Sequence, residues 1–230
     1  MISAAAIIPA AGCGTRFGGG QAKQFFPLLG RPLVEYSLAA FERAKHITEV
    51  VLVVAESHLA GLLEQLAPRF QKLRAVVAGG PRRQDSVCKG LEALSCRDDT
   101  VVTVHDGARP LIRPAMIDRC VEVAAETGGC IVACPVNDTV KRVKAGDVIE
   151  ATMDRTALWL AQTPQAFRYG VLLDALRQAD RDGVTGTDEA ALVERRGGAV
   201  RVLLGDAWNL KITTQEDLAI AEALMRQEVA

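Results

Sequence analysis

The residues best suited to chemistry lie near the amino terminus, where a stretch of small residues is followed by two cations. The stretch includes Pro9, Ala10, Ala11, Gly12 and Gly14, and the cations are Arg16 and Lys23. Small residues let backbone N–H groups approach an anion closely, and arginine and lysine can neutralise the charge that remains. The order of residue types therefore predicts a strand that runs into a loop beneath a polyphosphate.

The glycine spacing of this loop differs from that of two better-known phosphate-binding loops. Three residues separate Gly14 from Gly18, whereas the dinucleotide-binding fingerprint requires two. No Gly-Lys-Ser/Thr sequence occurs, which excludes a P-loop. The alternative is an ordinary glycine-rich turn between a strand and a helix. Arg16, Lys23 and the preceding Pro-Ala-Ala favour the functional interpretation.

A second glycine-containing segment, Gly79–Ser86, lies between a predicted strand and a predicted helix. Gly80 frees the backbone there, and Ser86 can present its hydroxyl to a base or a phosphate at the start of the helix. The alternative is that Asp85 or Ser86 simply caps the helix, and both roles can hold together.

The segment His105–Pro110 places a carboxylate directly after another predicted strand. Asp106 would stand at the carboxyl end of that strand, where a carboxylate beside a polyphosphate can meet Mg²⁺. Arg109 could orient Asp106 by pairing with it. His105 is assigned no catalytic role, because a histidine in such a position is more often buried and hydrogen-bonded.

The remaining polar segments are Asp138–Lys141, Asp154–Thr156, Gln162–Gln165 and Asn209–Thr213. By composition alone, the first three read as hydroxyls and charges on a solvated hairpin. The fourth differs, because it places Lys211 among apolar residues just before a helix. From there the lysine could reach back over a sheet.

An alternation of short apolar runs and helical patterns must position these segments. The predicted strands are Ile2–Ile8, Val50–Ala55, Ala75–Ala78, Val101–Val104, Ile131–Pro135 and Val200–Leu204. The predicted helices are Ser57–Phe70, Asp85–Leu94, Pro114–Glu126, Gly170–Ala179, Asp188–Gly197 and Gln215–Glu228. This alternation predicts an α/β fold with a doubly wound, mostly parallel sheet. Ligands of such sheets bind at the carboxyl ends of the strands.

The pattern is interrupted at Thr139–Met153, where charged and β-branched residues alternate around an Ala-Gly-Asp turn. This pattern predicts a protruding β-hairpin. A lone hairpin has too little core to be stable, so a second subunit is its natural partner. We therefore expect residues 1–230 to form one domain, with residues 137–160, hereafter the arm, inserted in it for dimerisation.

Composition narrows the class of protein. The chain has 27 Lys and Arg against 28 Asp and Glu, a net charge of −1, which argues against nucleic-acid binding through a broad basic surface. No apolar run reaches the roughly 18 residues of a membrane span, and Ile2–Ile8 lacks the basic region of a signal peptide. Six scattered cysteines without a Cys-x-x-Cys pair indicate reduced thiols rather than zinc or disulfides. We expect a cytoplasmic protein.

Together and in order, these segments resemble the 2-C-methyl-D-erythritol 4-phosphate cytidylyltransferase family, whose members have a Rossmann-like nucleotidyltransferase fold. The similarity extends from Ile7 to the last helix and includes Thr163-Pro164-Gln165, Thr187-Asp188-Glu189 and Asn209-Leu210-Lys211. It implies the reaction of CTP with methylerythritol phosphate to give CDP-methylerythritol and pyrophosphate, a step of non-mevalonate isoprenoid synthesis. It also implies Mg²⁺ held mostly by the CTP phosphates, and a homodimer.

The same resemblance implies roles for individual residues. The expected catalytic residues are Arg16, Lys23, Arg155 and Lys211. The expected nucleotide-binding residues are Pro9, Ala10, Ala11, Gly12, Gly14, Gly80, Ser86, Asp106, Gly107, Ala108 and Arg109, with Asp106 also a candidate ligand of Mg²⁺. The expected substrate-binding residues are Thr139, Arg155, Thr163, Thr187 and Lys211. Arg155 and its neighbours would come from the other subunit.

Physical reasoning agrees with this chemistry, because a phosphate oxygen of the substrate is the nucleophile and is already ionised at neutral pH. Such a transfer needs alignment and charge neutralisation rather than a strong base. Two alternatives stay open. One is a ribitol 5-phosphate cytidylyltransferase, which shares most of these motifs, and the other is a non-catalytic nucleotide-binding module.

Overall fold

The computed structural model describes residues 2–12 and 23–229, and for Lys23, Glu228 and Val229 it describes only the backbone. Seven of the strands in the described residues form one central sheet. Their bounds are β1 Ala4–Ala10, β4 Ile47–Val54, β5 Leu73–Ala78, β6 Val101–Val104, β7 Gly129–Pro135, β10 Trp159–Arg168 and β11 Arg201–Leu204. They lie side by side in the order β11-β7-β10-β6-β1-β4-β5. All pair in parallel except β10, which is antiparallel to both neighbours. The predicted α/β fold with a doubly wound, mostly parallel sheet is confirmed.

The described residues also include seven α-helices, of which the last follows the final strand. Their bounds are α1 Leu33–Arg43, α2 Leu62–Leu66, α3 Arg83–Glu92, α4 Pro114–Thr127, α5 Tyr169–Arg181, α6 Glu189–Arg195 and α7 Gln215–Val229. Short 3₁₀ turns occur at Lys23–Phe25 and Glu56–His58, and the two-residue strands β2 (Pro27–Leu28) and β3 (Arg31–Pro32) pair with each other. Within the described ranges, no helix combines the length and the apolar character needed to cross a bilayer.

Successive side chains of β1 point to opposite faces of the sheet, so this one strand contributes to two hydrophobic cores. Ala4, Ala6 and Ile8 pack with α1 and α4 on one face of the sheet. Ala5 and Ile7 pack with α3, α5 and α6 on the other face. Because both faces are covered, the strand is apolar at nearly every position, as buried parallel strands are.

Two elements of the sheet and its helices were not predicted, and one predicted helix is wrong. The helix α1 and the strand β10 have no counterpart in the sequence interpretation. The predicted helix Ser57–Phe70 is reduced to a 3₁₀ turn and the five residues of α2. Gly61 separates them with a φ of 69°, which a helical residue cannot adopt.

The predicted hairpin is present as β8 (Lys141–Lys144) and β9 (Val148–Thr152), which form a separate two-stranded sheet. None of its residues is buried. The apolar side chains of Val143 and Ile149 are 51% and 58% exposed. Nothing within the described part of the chain therefore supplies the hairpin with a core.

Candidate active site

A pocket of about 290 Å³ lies at the carboxyl ends of β1, β5 and β6. It is lined by Pro9, Ala11, Gly12, Gln24, Gly80, Pro81, Arg82, Arg83, Ser86, Asp106, Ala108 and Lys211. Parallel strands bring these loops to one edge of the sheet, as the sequence interpretation expected. The first loop, the Gly79–Ser86 segment, Asp106 and Lys211 meet here although up to 200 residues separate them.

The loop after β5 is shaped by one very close contact with the loop after β1. A Cβ atom on Gly79 would lie 2.4 Å from the Cβ atom of Ala11, so only glycine fits. The next N–H group, that of Gly80, donates to Ser86 Oγ at 3.1 Å, and Ser86 Oγ donates to the carbonyl of Arg82 at 3.2 Å. The hydroxyl of Ser86 thus fixes the turn that forms the wall of the pocket.

The helix α3 begins earlier than predicted, and Asp85 is not its N-cap. The carboxylate of Asp85 accepts the N–H of Arg82 at 3.0 Å, and the Arg82 guanidinium also pairs with it, at 2.6 Å. This reciprocal contact stabilises the exposed amino end of the helix. It also places Arg83, the first helical residue, at the pocket.

Asp106 is surrounded by cations and is only 7% exposed. Its Oδ2 atom lies 2.7 Å from Lys211 Nζ, and its Oδ1 atom accepts Arg83 Nε–H at 3.0 Å. Burial alone would raise the pKa of Asp106, but the charges of Arg83, Lys211 and Arg109 outweigh that effect and hold this pKa well below its usual range. The surrounding cations therefore hold Asp106 in its ionised form.

Arg83 joins Asp106 to a second buried carboxylate. Its Nη1–H group donates to Glu189 Oε1 at 2.5 Å, and Glu189 is 1% exposed. Burial alone would lower the pKa of Arg83, but its two carboxylate partners raise it. Burial raises the pKa of Glu189, although the charge of Arg83 opposes this shift. Arg83, Asp106, Glu189 and Lys211 are hereafter called the Asp106 cluster.

A second layer of hydrogen bonds holds the backbone of Asp106. Its N–H donates to Thr163 Oγ1 at 3.0 Å, so the Thr163 hydroxyl proton is free to bond His105 Nδ1 at 3.1 Å. His105 Nε2–H then donates to the carbonyl of Arg109 at 3.2 Å. This arrangement requires the neutral imidazole protonated at Nε2, and burial lowers the pKa of His105 to about 4. His105 is buried and hydrogen-bonded, as predicted.

Three predicted nucleotide-binding residues support the pocket from behind rather than lining it. Ala10 is buried in the core beneath it. Gly107 donates its N–H to the carbonyl of Pro9, which ties the two loops together. Arg109 donates to the carbonyl of Asn209 at 2.7 Å and lies 3.9 Å from Asp106, near enough to add charge but not a hydrogen bond.

The other predicted site residues fall into four groups. Eight of them line the pocket: Pro9, Ala11, Gly12, Gly80, Ser86, Asp106, Ala108 and Lys211. Thr163 lies behind Asp106, with its hydroxyl already in use, whereas Thr139, Arg155 and Thr187 are exposed and do not line the pocket. Gly14, Arg16 and the side chain of Lys23 lie outside the described residues. The described part of one chain therefore brings together most of the predicted nucleotide-binding residues with Lys211, but not Thr139, Arg155 or Thr187.

Sequence reasoning missed Arg83 and Glu189 as members of the site. Both lie inside motifs that it did single out, Gly79–Ser86 and Thr187-Asp188-Glu189. Each sits at the first position of a helix packed on the same face of the sheet. Their shared position at the start of a helix was the one available signal that they belong to the site. No local pattern in the sequence indicates that Arg83 and Glu189, 106 positions apart, form a pair.

The donor set bears on the predicted Mg²⁺. Among the residues that the structure describes, no group of three or more His, Cys, Asp or Glu side chains could hold a metal ion, and Asp106 is the one carboxylate lining the pocket. Mg²⁺ is commonly held by one or two carboxylates together with substrate phosphates. The pocket therefore fits a magnesium ion that arrives with a nucleotide, rather than a resident metal.

Comparisons with known proteins agree with this geometry. The family model described as 2-C-methyl-D-erythritol 4-phosphate cytidylyltransferase matches residues 4–227. The chain is 45% identical to the enzyme of that name from Geotalea uraniireducens, over 96% of each chain. It is 43% identical to the one from Bacillus licheniformis, over 96% of this chain and 95% of the relative.

Solved structures give the same result. The chain superposes on 4-diphosphocytidyl-2C-methyl-D-erythritol synthase from Anaerococcus prevotii with a TM-score of 0.86 and 28% identity, covering 98% of this chain and 96% of that one. The Thermus thermophilus 2-C-methyl-D-erythritol 4-phosphate cytidylyltransferase gives 0.79 and 35% identity, covering 98% and 100%. The similarity is thus spread over the whole length and is not confined to the nucleotide-binding loops.

Proposed function

The chain belongs to the 2-C-methyl-D-erythritol 4-phosphate cytidylyltransferase family, and we propose how its residues divide the work of that reaction. The enzyme transfers CMP from CTP to 2-C-methyl-D-erythritol 4-phosphate, giving 4-diphosphocytidyl-2-C-methyl-D-erythritol and pyrophosphate, in the non-mevalonate route to isoprenoids. The observation that carries the mechanism is the Asp106–Lys211 ion pair at the wall of a pocket that is lined by small residues and cations. The site offers charge and alignment, which are what phosphoryl chemistry needs.

We assign the nucleotide to the loops after β1 and β5. Gly12 and Gly80 line the pocket without side chains that would keep a phosphate away. The rigid turn held by Ser86 keeps the second loop in place before the nucleotide arrives. A loop that is already rigid needs no reorganisation when the charge of the nucleotide arrives. By family resemblance, Arg16 and Lys23 complete this side by neutralising the α-phosphate and the leaving pyrophosphate.

Lys211 is assigned to the attacking phosphate. Its ammonium group reaches the pocket and is 2.7 Å from Asp106. A phosphate dianion can exchange with Asp106 for this lysine, which brings the nucleophilic oxygen to the nucleotide. Because the nucleophile is ionised already, the residues need only orient it and balance its charge.

The rest of the substrate side is assigned to the arm of a second subunit. Arg155 is exposed, and its guanidinium donates to the carbonyl of Asn137 at the base of its own arm. Thr139 is exposed as well. Both are within residues 137–160, whose apolar surface lacks cover. Exposed apolar patches of this kind favour a partner, and a homodimer would deliver Arg155 and Thr139 to the neighbouring pocket. Thr187, exposed beside α6, is proposed as a further contact.

We propose Mg²⁺ as the cofactor, with Asp106 as its protein ligand and the CTP phosphates supplying the other oxygens. The ion would neutralise the triphosphate charge in the bound state. We also propose a cytoplasmic location. CTP as substrate supports it, and so do the free thiols of Cys88, Cys96, Cys120, Cys130 and Cys134, because disulfides are rare in that compartment.

A two-substrate assay tests the proposed function. The purified protein is given CTP and Mg²⁺ with either 2-C-methyl-D-erythritol 4-phosphate or ribitol 5-phosphate, and pyrophosphate release is followed. We expect at least about 10-fold higher kcat/KM with the methylerythritol substrate, equivalent to about 1.4 kcal/mol of transition-state discrimination. Faster turnover of ribitol 5-phosphate would overturn the assignment, and no pyrophosphate release with either acceptor would favour a nucleotide-binding module.

A further inference from the structure

Glu189 is a buried charge that the mechanism above does not use. It is 1% exposed, and its Oε1 atom accepts Arg83 Nη1–H at 2.5 Å. Its other oxygen, Oε2, has no hydrogen-bond partner in the parts of the chain that the structure describes. Keeping a carboxylate in such a place is costly. A hydrophobic residue or an amide would fill the same space at lower cost, so the charge itself needs an explanation.

Arg83 provides the link between this charge and the reacting groups. One guanidinium bridges two carboxylates: Nη1 contacts Glu189, and Nε contacts Asp106 Oδ1 at 3.0 Å. Its planar fork fixes the directions of both contacts. Since Oδ1 is held in this way, the other oxygen of Asp106 is turned towards Lys211. The Asp106 cluster is therefore a chain of contacts that runs Glu189–Arg83–Asp106–Lys211.

We propose that Glu189 and Arg83 are positioning residues of the transfer reaction: Glu189 anchors Arg83, and Arg83 restricts Asp106 to a single contact with Lys211. This inference rests on the proposed role of Lys211 as the cation that receives the substrate phosphate. Without the anchor, Arg83 turns away and Asp106 can rotate to engage Lys211 with both oxygens. The lysine is then exchanged less readily onto the incoming phosphate. Neither Glu189 nor Arg83 needs to touch the nucleotide for this effect.

The variant Glu189→Gln tests the anchor, because glutamine keeps the shape and removes the charge. We expect kcat/KM for the polyol phosphate to fall about 10- to 100-fold, the scale of a small misplacement in an active site. The dissociation constant of CTP, measured without acceptor, should stay within about two-fold. An equal loss of CTP affinity, or unchanged kcat/KM, would overturn the proposal.

Glu35→Gln is the matched control. Glu35 is also a buried carboxylate held by guanidinium groups, with Arg69 at 2.6 Å and Arg31 at 3.1 Å, but it lies on α1 and does not line the pocket. Both variants remove the charge of a buried carboxylate that is paired with guanidinium groups, so we expect similar effects of the two on thermal stability. We expect only Glu189→Gln to lower kcat/KM. A similar loss in Glu35→Gln would mean that the effect is one of stability alone, and the proposal would fail.

A double-variant cycle with Arg83→Lys tests the route through Arg83. Lysine keeps the charge but cannot bridge both carboxylates, so it should reproduce the 10- to 100-fold loss even if Glu189→Gln folds poorly. If Glu189 acts only through Arg83, the Glu189→Gln change adds less than about two-fold in the Arg83→Lys background. Losses that multiply would show that the two residues act independently and would overturn the proposal.

Failure of the proposed function can be told apart from failure of this inference. If the wild-type protein transfers CMP to neither polyol phosphate, the proposed function is wrong. Crystal structures of the wild type and of Glu189→Gln would still show whether Glu189 holds Arg83 against Asp106. Movement of Arg83 away from Asp106 in the variant supports positioning. An Arg83–Asp106 contact that stays in place without the Glu189 charge contradicts it.

Discussion

The Asp106 cluster and the arm are built in opposite ways. In the cluster, every charged group is paired, and the two carboxylates are 7% and 1% exposed. In the hairpin of the arm, no residue is buried and the apolar side chains face outward. Within the described residues, the charged groups around the pocket are thus buried and paired inside one chain, whereas the proposed acceptor contacts of the arm are exposed and lack cover. Because the hairpin is a sheet of its own, it can pack against a second chain without changing the central sheet that carries the pocket.

The largest expected effect comes from the arm. We predict that Arg155→Ala abolishes transfer, lowering kcat by at least about 1,000-fold, while CTP binds with unchanged affinity. Steady-state pyrophosphate release and calorimetric titration with CTP measure the two quantities. Loss of CTP affinity would place Arg155 on the nucleotide side and remove the contrast between the two regions.

Mixing variants sharpens this prediction. A heterodimer of Arg155→Ala with Lys211→Ala should contain one intact site if the arm crosses to the other subunit. Activity should then return to about one quarter of the wild type per dimer formed at random, since half of the dimers carry one of two sites. Mixed samples that remain inactive would show that each site uses its own Arg155.

The next largest effect concerns the layer behind Asp106. The pKa of His105 is lowered to about 4 from an ordinary value of 6.5, so its neutral form is favoured by folding and protonation destabilises the fold. The contribution of His105 to the free energy of unfolding is fully present above pH 6.5. It is lost as the pH falls towards 4, by about 3 kcal/mol in total. Urea unfolding from pH 7 to pH 4 measures this decline.

His105→Gln serves as the control for that titration. Glutamine can accept from Thr163 and donate to the Arg109 carbonyl, but it does not titrate. Its free energy of unfolding should fall about 3 kcal/mol less than that of the wild type over the same range. Parallel curves for the two proteins would show that His105 is not the titrating group.

We expect Lys211→Ala to lower kcat/KM for the polyol phosphate about 50-fold. This loss is smaller than that of Arg155→Ala, because Arg155 still holds the same phosphate. Asp106 keeps Arg83, so the fold should tolerate the change. Kinetics with both substrates varied provides the measurement. A rise confined to the KM of CTP would contradict the assignment of Lys211 to the acceptor.

The smallest effect on stability should come from the exposed apolar residues of the hairpin. Ile149→Ser should change the free energy of unfolding of a monomer by less than about 0.5 kcal/mol, because the side chain is 58% exposed. The same change should weaken the dimer, as sedimentation equilibrium would show. If association is unaffected, the arm is not the dimer contact.

The sequence predicted the pocket better than it predicted the sheet. Short-range patterns located the loops after β1, β5 and β6, because small residues and polar residues after apolar runs are local signals. The strand β10 was missed because Thr163-Pro164-Gln165 interrupts its pattern and its partners are distant in sequence. The register that sets Gln165 opposite Val104, and so brings Thr163 beside Asp106, is a tertiary property.

The same distinction explains the missed members of the site. Arg83 and Glu189 stand in visible motifs, yet their function depends on a contact between the first turns of two helices. The predicted helix at 57–70 fails for the opposite reason. Its leucines have helical spacing, but the φ of Gly61 and the presence of Pro68 end each helical piece early. Periodicity reports which face would be buried, and backbone geometry decides whether the helix forms.

The contact between Lys211 and Asp106 also determines how much charge an anion needs in order to bind Lys211. Any anion that binds Lys211 competes with an internal carboxylate 2.7 Å away. A singly charged ligand such as acetate or bicarbonate brings no more charge than the group it displaces, whereas a phosphate monoester carries close to two charges above its second pKa of about 6. We therefore expect the enzyme to discriminate among anions by charge before it recognises their shape. Its affinity for the acceptor should decline in mildly acidic solution as that phosphate takes up a proton.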